Sequence, residues 1–356
     1  MKTRKMSIKR TKMSPIVGIL LSAFVGLHCG MPNGKGVGSG HSTAPSLGTS
    51  THALSTSYKA DGWWVAKASY DNYFRSWTKL NISTYKVDKL RFGQFNNDKK
   101  ADIFLASGGK WYLSYSGTSS WTQINTSSYQ DVEKLRFYDF NGDGKTDVFT
   151  VAGGQWRVSY SGTSSWYTLG SSSVSLKDMR FGDFNGDGKA DIFAAWGGKW
   201  YVSYSGTSSW AQLNISSYPV SKLRFGDFNG DGKTDVFTQS GNKWLVSYSG
   251  SGSWTIFEQN SSIPYIDFEG LRFGKFYGGV RTDILYSSYG RVRVCSSYNH
   301  ICRTWLDSGT DAYDIDVSIE RLRFADFDGN GRLDLFRAGT HRIKPKLEID
   351  WWNWIF

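Results

Sequence analysis

Histidine, cysteine and proline are scarce in this chain, and each scarcity closes off a class of explanation. Five histidines in 356 residues, with His28, His41 and His52 ahead of the repeated part and His300 and His341 within it, supply no recurring base for a nucleophile. Six prolines against 40 glycines and 16% aromatic residues favour many short strands joined by tight turns over helices. The apolar run from Ile16 to Leu27 is too short to span a bilayer comfortably. Clustered basic charge is also lacking. The formal +11 includes Lys2, Arg4, Lys5, Lys9, Arg10 and Lys12, which leaves +5 for the remainder, whose Lys and Arg are scattered along the repeats. Scattered cations mark solvated surface, so nucleic acid is not an expected partner.

What the chain does hold is one stretch copied six times. LRFGDFNGDGKTDVF at 223–237 returns as KLRFYDFNGDGKTDVF (134–149), DMRFGDFNGDGKADIF (178–193) and RLRFADFDGNGRLDLF (321–336), with degenerate copies at 89–104 and 270–285. Four copies set oxygen-bearing side chains at positions 1, 3, 5 and 9 of a loop: Asp139, Asn141, Asp143 and Asp147; Asp183, Asn185, Asp187 and Asp191; Asp227, Asn229, Asp231 and Asp235; Asp326, Asp328, Asn330 and Asp334. The backbone carbonyls of Lys145, Lys189, Lys233 and Arg332 at position 7 would add a further ligand, and Gly at position 6 in each permits the sharp turn. Oxygen donors without His or Cys point to Ca²⁺ rather than zinc or copper. An ion-free Asn-Gly or Asp-Gly turn explains the glycines but not the clustered carboxylates. An EF-hand is excluded, because position 12 of the third complete loop is Thr238 and its flanks are short and β-rich.

The two degenerate copies are weaker. The loop at 94–102 keeps Asn96, Asp98 and Asp102 but carries Gln94 at position 1 and Lys99 at position 6; the loop at 275–283 carries Lys275, Tyr277 and Gly279 at ligand positions and is expected to be empty. Each calcium is expected to be structural and saturated by its own loop.

Leu90, Leu135, Met179, Leu223, Leu271 and Leu322 mark equivalent positions, spaced 45, 44, 44, 48 and 51 residues apart. A β-rich period in the forties predicts an all-β propeller with four-stranded blades. The recurring DxNxDGxxD with RFG before it and an apolar pair after it resembles the FG-GAP and VCBS repeat family, over roughly 60–356. That family includes integrin α heads and surface lectins, and the resemblance implies a calcium-binding propeller and favours seven blades. The segment 62–85 reads as a third and fourth strand with no loop ahead of it, since its WTKLNISTYKVDKL parallels WAQLNISSYPVSKL at 210–223. Seven blades result if the tail from His341 to Phe356 completes the last loop's blade; six result if the 62–85 pair completes it instead.

Residues 1–29 combine a basic segment, an apolar run and Cys29 and read as an export signal, with Cys29 either lipidated or close to an ordinary cleavage site. A Gly/Ser/Thr-rich tether follows over 30–59. The expected location is secreted or cell-surface, including an outer-membrane lipoprotein. Cys295 and Cys302, six residues apart across an expected hairpin, suit a disulfide. The SGTSSW stretches and their SGSGSW variant supply Trp121, Trp166, Trp210 and Trp254, which either pack between blades or form a sugar platform.

These features predict a non-catalytic surface module that binds a glycan or an extracellular protein, with 255–270 and 306–320 as the contact surface in the protein case. The alternative is a carbohydrate-active enzyme or an accessory domain of one. It would draw on Asp311, Asp314, Asp316 and Glu320, the carboxylates that the acidic insert 306–320 leaves free.

Overall fold

The computed structural model describes residues 59–60, 62–68, 74–259, 263, 266–288, 291–307, 322–339 and 341–342. The leader, the lipidation candidate Cys29, most of the tether, the insert from 308 to 320 and the tail beyond 342 lie outside the described residues.

Within them the chain forms six antiparallel four-stranded sheets, the blades of a β-propeller. Blade I runs Leu90–Gly93, Asp102–Ser107, Lys110–Ser114 and Thr122–Thr126. Blade II runs Arg136–Tyr138, Asp147–Ala152, Gln155–Ser159 and Tyr167–Ser171, and blade III Arg180–Gly182, Asp191–Trp196, Lys199–Ser203 and Ala211–Ile215. Blade IV runs Arg224–Gly226, Asp235–Ser240, Lys243–Ser247 and Thr255–Gln259, and blade V Arg272–Gly274, Asp283–Ser288, Arg291–Cys295 and Cys302–Asp307. The second and third strands of blades I to III meet in two-glycine turns such as Gly153–Gly154, both with positive φ, as a tight hairpin turn requires.

Blade VI is built from both ends of the repeated part. Arg323–Ala325 and Asp334–Ala338 supply its inner strands, and Trp63–Ala68 and Phe74–Asn81 its outer ones. Val65 pairs with Phe336 and Trp63 with Ala338. The described blades therefore number six, which corrects the favoured count of seven. The 62–85 pair has no inner strands of its own, and joining Asp334–Ala338 satisfies the backbone edges of both at once. His341–Arg342 instead forms a two-stranded ribbon with Lys59–Ala60.

The core lies between blades. In every blade but V the loop's position-2 phenylalanine stacks on a phenylalanine of the second strand, as Phe140 does on Phe149, and the next blade's first-strand phenylalanine meets both rings edge-on, as Phe181 does. Trp111, Trp156, Trp200 and Trp244 fill the third strands and are fully buried. No helix among the described residues is long and apolar enough to cross a membrane.

Candidate functional site

Each acidic loop joins a blade's first and second strands, and its geometry follows from its own side chains. In blade II both carboxylate oxygens of Asp139 accept from loop amides, Gly142 N at 2.7 Å and Gly144 N at 2.8 Å. Asp143 accepts from Lys145 N, and Asn141 from Asp143 N. Gly142 and Gly144 sit at φ 79° and 80°, so a side chain at either would be strained. Asp147 at position 9 is buried and accepts from Phe140 N and from Ser161 N, which ties the loop to the turn between the third and fourth strands. The same pair of bonds recurs at Asp191 and Asp235.

Burial pushes the Asp147, Asp191, Asp235 and Asp334 carboxyls up to about 6, and the other carboxylates of each loop push the same way against the backbone amides. Such a group carries charge at neutral pH only at a cost that a cation would remove. In blade VI, oxygens of Asp326, Asp328 and Asp334 all lie within 4.8 Å of one another, the one such acidic trio among the described residues. In the other three complete loops Asn stands at position 3, and its amide nitrogen bonds the position-5 Asp. The donors are hard oxygens throughout, which fits Ca²⁺. Asp326, Asp328, Asn330 and Asp334 would hold it in blade VI, and the corresponding residues in blades II to IV. An ion there would supply charge neutralisation.

A second arrangement links the loops to one another. The amide at position 8 of each loop donates to the position-1 carbonyl of the preceding blade: Thr146 to Gln94, Ala190 to Asp139, Thr234 to Asp183, Thr282 to Asp227, Leu333 to Lys275 and Ala101 to Asp326. Six bonds thus close a circuit through all six blades. Nothing in the side-chain pattern announces it, because the bonds are made by backbone alone.

The degenerate loops differ from each other. In blade I, Gln94, with its amide oriented to suit its neighbours, accepts from Lys99 N at 2.6 Å and so replaces Asp as the turn's acceptor without its charge. Asn97 and Lys99 adopt φ 67° and 66° where the complete loops have glycine. In blade V the ligand positions are occupied by Lys275, Tyr277 and Gly279, and a cleft of about 650 Å³ opens there. Arg281, Arg303 and Arg332 line it together with Tyr298, Asn299 and Asp283. Val280, Tyr298 and Ile301, three of the large apolar residues most exposed to solvent, stand around it. The Arg281 guanidinium lies over the Tyr298 ring, 5.4 Å from its centre. Asp283 is also raised to about 6 by burial, although Arg332 opposes the shift. The sequence signal for this cleft is the exchange of three ligand positions for Lys275, Tyr277 and Gly279.

The four repeat tryptophans are half-buried and pack between blades. Trp121, Trp166, Trp210 and Trp254 meet Trp63, Trp111, Trp156 and Trp200 of the preceding blade edge-to-face at 5.3–5.5 Å. A second aromatic flanks each: Tyr85, Tyr129, Trp196 and Tyr218. Trp196 itself is exposed and stacked on Tyr201 at 3.8 Å. Cys295 and Cys302 face each other across adjacent strands and are joined in a disulfide, which holds the hairpin that carries Tyr298 and Asn299.

The blades and their acidic loops define a β-propeller of repeated strand–loop–strand units. The units across blades I to IV are FG-GAP-like repeats: the family model for that repeat matches residues 94–150, 139–194 and 183–238, three overlapping units. No curated protein matches the chain. Among solved structures, the chain is similar to the Photorhabdus luminescens Tc holotoxin pore, at 13% identity and TM-score 0.52 over 79% of this chain; it spans 14% of the toxin chain. It is also similar to an Agrocybe aegerita lectin specific for non-reducing terminal N-acetylglucosamine, at 14% identity and TM-score 0.51 over 78% of this chain and 82% of the lectin. At these identities the likeness is one of fold.

Proposed function

We propose that this chain is a calcium-stabilised, non-catalytic binding module, exported and displayed at a surface, whose ligand is a glycan. The observation that carries the reading is the blade V cleft, where one copy of the repeat has Lys275, Tyr277 and Gly279 at its ligand positions and three guanidiniums line the opening beside an exposed tyrosine. A concave site with a few convergent polar groups and apolar contact area suits a sugar, whose hydroxyls take hydrogen bonds while a ring face rests on an aromatic. The other loops support the rigid disc that presents it. Ca²⁺ on Asp139, Asp183, Asp227 and Asp326 and their loop partners offsets carboxylate repulsion, and the interblade backbone bonds carry that stiffening from blade to blade. Fold likeness to a lectin is consistent with this reading and goes no further. Export rests on the basic and apolar leader ahead of Cys29.

A glycan array probed with purified protein, in calcium and in EDTA, tests the reading. Retention on a subset of glycans, lost in Arg281→Ala and Tyr298→Ala, is expected. Silence across the array in calcium would remove the glycan ligand, and hydrolysis of an arrayed glycan would remove the non-catalytic assignment.

A further inference from the structure

The first strand of every blade carries one arginine: Arg91, Arg136, Arg180, Arg224, Arg272 and Arg323. First strands of blades I and II, and of blades IV and V, contact each other, which marks the first strands as the innermost, and all six arginines are half-buried. Each guanidinium is anchored to backbone through Nη1, and in Arg91 and Arg224 Nη2 also meets a carboxylate. Arg136 Nη1 donates to the Glu133 and Leu135 carbonyls, both at 2.8 Å, and Arg180 Nη1 to Lys177 and Met179 at 2.9 and 2.7 Å. Arg224 and Arg272 repeat the pattern. A guanidinium has five N–H donors in a rigid fork, so at Arg180 this anchoring orients the head and leaves Nη2 and Nε for a second partner, and at Arg224, whose Nη2 also meets Glu269, it leaves Nε and one Nη2 hydrogen.

The six charges sense one another around the axis. Burial, and after it Arg224 and Arg136, hold Arg180 below its ordinary value; burial, then Arg91 and Arg272, do the same to Arg323. Carboxylates offset the ring only in part. Glu133 meets Arg91 at 2.5 Å and Glu269 meets Arg224 at 2.8 Å, each from a mostly exposed position. Arg136 and Arg180 form no ion pair among the described residues. Near both stands Tyr138, 39% exposed, whose phenol is a hydrogen-bond donor. A cavity of about 640 Å³ opens beside it, lined by Tyr138, Arg180, Ser221, Arg224, Thr234 and Glu269. Capping a turn explains one arginine at a time. It does not require six like charges to gather on one axis, where they repel.

We propose that this ring is a binding site for a small multivalent oxyanion of the phosphate class, seated beside Tyr138 against the guanidiniums of Arg180 and Arg224. A monocarboxylate brings one charge and two oxygens, enough for one fork. A diphosphate brings several charges and acceptors in a volume the cavity accepts, and guanidinium forks pair with phosphate oxygens two at a time. The site is separate from the blade V cleft and stands whether or not that cleft binds a glycan.

The probe is inorganic pyrophosphate, titrated into the full protein by calorimetry against sodium chloride at matched ionic strength. Saturable binding at one equivalent is expected, weakened at least about tenfold in the Arg180→Lys/Arg224→Lys variant, which keeps the charge and loses the fork. A second readout needs no variant: phenylglyoxal labelling of wild type, mapped by mass spectrometry, should fall at Arg180 and Arg224 when pyrophosphate is present. Failure of wild type to bind, equal binding by the lysine variant, or unchanged labelling at both arginines would overturn the site.

Discussion

A Cβ placed on Gly182 would lie 2.5 Å from Thr234 Oγ1 of the next blade. The relationship repeats around the ring: Gly93 faces Thr146, Gly226 faces Thr282 and Gly274 faces Leu333 with similar closeness. Where the equivalent residue is larger, its counterpart is smaller. Tyr138 precedes a blade with Ala190 at that position, and Ala325 a blade with Ala101. Side-chain volume is thus traded across each blade boundary beside the backbone bond that joins neighbouring loops.

Gly182→Ala should destabilise the protein by about 1–3 kcal/mol through overpacking, and Thr234→Ala in the same chain should recover most of the loss. Denaturant midpoints of the two single variants and the double variant measure the coupling. Simple additivity would mean that the contact does not set the choice of glycine.

Lys99 holds φ 66° where the complete loops have glycine. Lys99→Gly should stabilise the fold by about 1 kcal/mol, because a side chain in the left-handed region carries a penalty of that order. Chemical denaturation reads the gain, and an unchanged or lower midpoint would contradict it.

Asp147, Asp191, Asp235, Asp283 and Asp334 have carboxyls raised from 3.8 to about 6. A carboxyl raised by folding binds its proton more tightly in the folded state. Its contribution is fully favourable below the unfolded value and is lost as pH rises through about 6. In EDTA the melting temperature should therefore fall between about pH 4 and just above pH 6 on account of these groups and level off beyond. With calcium present the fall should flatten for the four complete loops, and calcium affinity should weaken as protons compete below pH 6. Identical melting profiles with and without chelator would remove calcium from the account.

Trp166 meets Trp111 and Tyr129 between blades, whereas Trp196 is 41% exposed. Trp166→Ala should cost about 3 kcal/mol or more as a packing loss, and Trp196→Ala less than about 1 kcal/mol. Thermal unfolding separates the two. A Trp166→Ala protein of wild-type stability would return this residue to the sugar-platform reading.

The repeat length, the strand–loop–strand unit and the position-9 aspartates are legible from residue types alone, because period and spacing decide them. Blade number is not. It depends on which partner the Trp63–Ala68 edge finds, and pairing with Asp334–Ala338 is a contact across more than 260 positions that no local pattern encodes. The roles of Trp121 and Trp210 stay open in the sequence for a related reason: a ring beside serines reads alike whether it faces solvent or the indole of a neighbouring blade. Arg180 and Arg224 are visible in each LRF or MRF triplet, yet their convergence becomes apparent only when the strands are set around an axis. The cleft beside Tyr298 is harder still, since it arises where a motif decays.

Blade VI, half from each end of the repeated part, orders events during synthesis. The outer strands Trp63–Ala68 and Phe74–Asn81 leave the ribosome first and wait through five blades for Asp334–Ala338 to emerge. Until then their hydrogen-bonding edge is open to any passing chain, so a nascent protein stalled before residue 334 is the species most exposed to misassembly, and a chaperone would have most to gain by shielding it there.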